Sequence, residues 1–151
     1  MRFVATTLAV SAVVFSLSCV QALALDDRIP DPQALAALMV KADQAQPKEQ
    51  CFLYAELVHQ MTELAGQQLS AGDARASETL HQIQKYAQKI HMGVAEDGKK
   101  MKNAEQLMRH TSYRLNDILN AASYDDRQVL QSTLKQLEQV QTELMMQVFK
   151  K

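Results

Sequence analysis

The chain has 151 residues, with 16 Lys and Arg against 17 Asp and Glu and a formal net charge of −1. That balance argues against a nucleic-acid binder, because phosphate contacts need a concentrated excess of basic side chains and the densest cluster here is only Lys99, Lys100 and Lys102. Two cysteines and four glycines provide neither a disulfide framework nor much irregular backbone for an active-site loop.

Met1-Arg2 places one positive charge ahead of an uncharged, mostly apolar run over residues 3–25. This is the layout of a signal peptide. The run is long enough to anchor in a bilayer, which takes about 20 apolar residues. Ala22-Leu23-Ala24, however, supplies small residues where a signal peptidase reads them, so the expectation is cleavage after Ala24 and export to the periplasm or the extracellular space. Lipidation at Cys19 would want a bulky aliphatic residue three positions earlier, where Ser16 stands. Loss of 1–24 leaves Cys51 as the only thiol, which excludes an internal disulfide; it reads as a buried small hydrophobe, with an intermolecular disulfide as the alternative.

Residues 25–31 read as a short lead-in and 32–151 as a single helical domain. Asp31-Pro32 is an N-cap followed by proline at the first helical position. Leu35, Leu38, Met39 and Ala42 then carry a helical stripe up to Gln46, where Pro47 interrupts it. No Gly, Asn or Asp accompanies Pro47, so a kink is favoured over a reversal. Tyr54, Leu57, Val58, Met61, Leu64, Ala65 and Leu69 continue at helical spacing until Gly72, which suits a left-handed C-cap, with Asp73 as the next N-cap.

Steps of four and three from Ala76 give Leu80, Ile83, Ala87, Ile90, Val94, Asp97, Met101, Ala104, Met108, Thr111, Leu115, Ile118 and Ala122. The phase never slips, and this predicts one continuous helix over about 73–122, roughly 75 Å long at 1.5 Å per residue. Gly93 and Gly98 weaken it locally. Ser123 begins Ser-Tyr-Asp-Asp, a capping-box-like start, and Leu130, Leu134, Leu137, Val140, Leu144 and Val148 form the stripe of the last helix. The expected fold is all-α, an elongated antiparallel three- to four-helix bundle around that long helix. Tight turns at Gly72 and Ser123 would set Tyr54 beside Ile90 and Leu137 beside Met108.

Candidate chemistry is sparse. Glu56 with His59, and Glu78 with His81, repeat the Glu-x-x-His spacing that di-metal carboxylate bundles use. Antiparallel pairing makes the two motifs miss each other by about six residues, roughly 9 Å. His91-Met92 and Met108 with His110 have donors that suit copper, but Met101 and Met108 fall on the apolar seam, where methionine fills gaps in a core. No Gly-x-Ser-x-Gly elbow, glycine-rich phosphate loop or haem-attachment motif occurs, so the reading is not an enzyme and needs no cofactor. Met145 and Met146 are adjacent and cannot both face one seam, which leaves a partner surface open as an alternative for one of them. The functional expectation is an exported interaction or scaffold protein that binds a protein partner or itself, with no transmembrane helix after signal cleavage; a metal-binding bundle using Glu56, His59, Glu78 and His81 is the alternative.

Overall fold

The computed structural model describes residues 30–92 and 98–150, and these contain five helices and no strand: α1 (Pro32–Gln44), α2 (Pro47–Ser70), α3 (Ala76–Met92), α4 (Gly98–Ala121) and α5 (Arg127–Val148). The signal-peptide reading, and most of the lead-in, falls on residues outside those described. Among the described residues no helix is long and apolar enough to cross a membrane.

Local chemistry sets most of the boundaries. Asp31 caps α1 by accepting from the Gln33 amide at 3.3 Å, and Pro32 occupies the first turn. The end of α2 is a Schellman motif. Gly72 sits at φ 65°, its amide donates to the Leu69 carbonyl at 3.1 Å, and the Asp73 amide donates to the Gln68 carbonyl at 2.8 Å. Asp73 then accepts from the Arg75 amide at 2.9 Å and opens α3. At the other connector Ser123 exchanges bonds with Asp126, its Oγ donating to Oδ2 at 2.6 Å and accepting from the Asp126 amide at 3.4 Å. The regular helix starts only at Arg127, after a turn over 124–126.

The long helix expected over 73–122 is instead two helices that run in opposite directions. On one side of α2, Tyr54 stacks on Tyr86 with ring centres 6.0 Å apart and carries Lys89 over its face at 5.1 Å, an antiparallel register. On the other side, Glu49 meets Lys100, His59 meets Thr111 and Glu63 meets Arg114, at separations of 51, 52 and 51 residues, so α4 runs parallel to α2. Residues 54 and 59 lie about 7.5 Å apart on α2, whereas 86 and 111 on one straight helix would lie roughly 37 Å apart. The heptad phase persisted because both helices turn the same kind of stripe to one core: Leu80, Ile83, Ala87 and Ile90 from α3, with Ala104, Met108, Thr111, Leu115 and Ile118 from α4, are all buried. Gly98 is the first residue of α4.

Four helices therefore surround the core in the ring order α2, α3, α5, α4, each touching its two neighbours. Gln84 of α3 bonds Ser132 and Thr133 of α5 at 3.1 and 2.8 Å, which ties the α3–α5 side. Leu57, Met61, Leu80, Ile83, Met108, Leu115, Leu130 and Leu137 are among the largest side chains in the shared interior. The longest of these helices has 24 residues, about 36 Å at 1.5 Å per residue. The arrangement is a bundle of helices side by side with a fifth against it, not an elongated rod.

That fifth helix corrects a second expectation. The chain reverses before Pro47 instead of kinking, because Ala45 and Gln46 are both extended, with ψ 157° and 149°. Gln46 is driven there by the ring of the following proline, and the second extended residue completes the reversal. Folded back, α1 buries Leu35 and Ala42 against α2. Its Met39 reaches side chains near the start of α3 while Asp43 reaches Lys89 near its end, so α1 runs along the outside of the α2–α3 pair.

Candidate functional site

A row of long-range polar contacts lies along the seam where α2 meets α4. Because the two helices run parallel with an offset of 51 or 52 residues, polar groups meet across the seam at three levels of α2, at residues 49, 59 and 63. Glu49 accepts from Lys100 at 2.6 Å at the open end of the seam, and this bond holds the Glu49 carboxyl below its usual range. Deeper in, His59 is 6% exposed; its Nδ1 lies 3.1 Å from Thr111 Oγ1, and its ring centre lies 5.5 Å from that of His110. One turn further, the buried carboxylate of Glu63 accepts from Arg114 Nε at 2.9 and 3.1 Å.

His59 was a candidate from the sequence, and its actual neighbours were not. Its motif partner Glu56 is half-buried on the same helix. Glu78 and His81 are exposed on α3 and line a shallow depression of about 250 Å³ with Met39, Gln82, Lys85 and Tyr86. The two Glu-x-x-His motifs thus face different neighbours, one α4 and the other α1. Among the described residues no group of three or more His, Cys, Asp or Glu side chains is arranged to hold a metal ion. Met108 is buried in the core, whereas His110, two residues on, is half-buried at the seam.

Cys51 is free and 5% exposed, and burial pushes its thiol up to about 11. A thiol in that environment is a poor nucleophile, since reaction goes through the thiolate.

A second polar cluster fixes α1. Asp43 accepts from Tyr54 Oη at 2.8 Å and from Lys89 Nζ at 2.6 Å, while Lys89 also lies over the rings of Tyr54 and Tyr86 at 5.1 and 5.2 Å. The hydrogen bonds from Lys89 and Tyr54 lower the Asp43 carboxyl, and the bond to Asp43 raises the Lys89 ammonium. Burial, with the hydrogen bond to Asp43, raises the Tyr54 phenol. Spacing alone gave no signal for this cluster, which joins residues 11 and 46 positions apart.

Val40, Tyr113 and Tyr124 are exposed at separate places, whereas three exposed apolar side chains gather at the end of α5. Met145 is 39% exposed, Met146 53% and Phe149 75%. Met145 and Met146 lie in the last turn of α5, and Phe149 is the C-cap residue whose amide bonds the Met145 carbonyl at 3.1 Å, so the three lie within one turn of each other. Phe149 was missed in the sequence because it continues no heptad stripe. Comparison with known proteins finds nothing similar: no family model, no curated protein and no solved structure matches the chain.

Proposed function

We propose that this is an exported helical interaction module without a catalytic site, which binds a protein partner, or a second copy of itself, through the uncovered apolar end of α5. The observation that carries the reading is the cluster of Met145, Met146 and Phe149, three large apolar side chains left in water within one turn of each other. Single exposed apolar residues are ordinary on a monomer, whereas a contiguous group marks a contact surface. Methionine suits such a surface because its flexible thioether repacks against different shapes. Export is supported by Met1-Arg2, the apolar run after it and Ala22-Leu23-Ala24.

The rod-shaped scaffold expected from the heptads loses its motive, since α3 and α4 each find neighbours inside the bundle. What remains is a compact support for a small sticky end. A photoreactive residue placed at position 149 and activated in the producing cell tests the reading. A discrete adduct with one protein or with a second copy, abolished by Met146→Glu, is the expected result. Only a featureless smear, unchanged by Met146→Glu, would count against the interface, and retention of the chain in the cytoplasm would count against export.

A further inference from the structure

The His59–His110 pair has a feature that helix packing alone does not demand. Thr111 Oγ1 donates its single hydrogen to the Leu107 carbonyl at 2.8 Å, the ordinary i−4 bond of a helical threonine. Toward His59 Nδ1, 3.1 Å away, the hydroxyl therefore offers only a lone pair. With the hydroxyl hydrogen on the Leu107 carbonyl, neutral His59 would carry its own hydrogen on Nδ1 and present a lone pair at Nε2. This is how metal-ligating histidines are held, one ring nitrogen fixed by an oxygen so that the other is a defined ligand.

His110 supplies the complementary group. Its Nε2 is buried and has no hydrogen-bond partner among the described residues. The two ring centres are 5.5 Å apart with planes inclined at 56°. With metal–nitrogen bonds of about 2.0–2.1 Å and a ring nitrogen about 1.1 Å from its ring centre, two imidazoles on one ion lie roughly 5–6 Å apart, centre to centre. The charge nearby is balanced, because the buried Glu63 carboxylate one turn away is already paired with Arg114. His110 is half-buried at the edge of the seam, which leaves a route in from solvent.

The geometry points to a two-imidazole site, His59 and His110, for a single copper(I) or zinc(II) ion at the α2–α4 seam, with Thr111 as its positioning residue. Imidazole nitrogen suits both ions. At 5.5 Å the two rings would meet one ion at a bent angle rather than in line, so either ion would complete its shell with a solvent ligand. The site is separate from the paired Glu-x-x-His arrangement, since Glu78 and His81 lie on the far side of α3 and take no part. It is also independent of the apolar end of α5.

The test uses the chain purified without a histidine tag and carrying His81→Gln and His91→Gln, so that of four histidines only His59 and His110 remain. Competition against a chromophoric chelator, run separately with copper(I) under reducing conditions and with zinc(II), reads affinity and tells the two ions apart. One equivalent of one ion is expected to bind, weakened roughly tenfold or more by His110→Gln and several-fold by Thr111→Val. Thr133→Val, which removes another buried hydroxyl bonded to an i−4 carbonyl, is expected to leave it unchanged. In the metal-free chain, long-range proton–nitrogen spectra should show His59 with its hydrogen on Nδ1. Equal affinity in His110→Gln, absence of stoichiometric binding by either ion, or an Nε2–H tautomer at His59 overturns the assignment.

Discussion

The closeness of α2 and α4 can be weighed by adding one methyl group. A Cβ built at Gly66 would lie 2.8 Å from Ile118 Cδ1 and 3.3 Å from its Cγ1. Gly66 lies inside α2, where alanine is favoured over glycine by about 1 kcal/mol. Opposing this, both sites are buried, and forcing an extra methyl into a packed interior costs about 1–3 kcal/mol. Gly66→Ala is therefore expected to be destabilising by about 1 kcal/mol. Ile118→Val removes the clashing Cδ1 and by itself costs about 1 kcal/mol. With that methyl absent the tight Cγ1 contact at 3.3 Å still offsets part of the helix-propensity gain, and Gly66→Ala should become neutral or stabilising by less than about 1 kcal/mol. Urea unfolding of the four proteins measures the cycle, with a coupling of about 1–2 kcal/mol expected between residues in contact. Additive effects within about 0.5 kcal/mol would refute the contact and with it the parallel α2–α4 register.

Three further outcomes follow from the clusters. Tyr54→Phe and Asp43→Asn should each cost about 1 kcal/mol, discounted because Asp43 is half exposed, and should raise amide exchange in α1 before that in α2–α5. The Asp43 contribution has a defined pH window: its carboxyl is lowered in the fold, so the stabilisation is present above the ordinary value of 3.8 and lost as pH falls through the lower folded value. Lys89 is raised above 10.5, so its share is present below that value and lost as pH rises through the folded one; thermal melts of Asp43→Asn and wild type should accordingly converge at strongly acid and strongly alkaline pH. For Cys51, reaction with a disulfide reagent at pH 8 should be slow in the native chain and fast in urea; a native rate equal to the unfolded one would contradict its burial.

What the sequence disclosed was local. The Asp31-Pro32 start, the Gly72 cap and the Ser123 connector are legible because each depends on side chains within a few residues of the backbone groups they satisfy. The apolar stripes were legible too, since Leu80, Met108 and Leu137 are buried at the heptad positions that marked them. Direction was not. A stripe reports which face a helix buries and is silent on whether the next stripe continues the helix or returns beside it, so α3 and α4 read as one. The Pro47 reversal was hidden for a similar reason: Ala45 has no intrinsic turn signal, yet it is extended. The neighbours of His59 were hidden by distance along the chain, as Thr111 is 52 residues away and becomes a neighbour only once α4 runs parallel to α2.

The paired histidines, and a compact support for the apolar end of α5, both depend on that reversal of direction between α3 and α4. Spin labels at the exposed positions Ser77 and Asn120 measure it directly. In the bundle these positions lie at the same end on helices across the core, and with adjacent axes 8–10 Å apart the label separation should be about 15–30 Å. A separation of roughly 65 Å, the length of 43 residues of unbroken helix, would contradict the fold and every contact built on it.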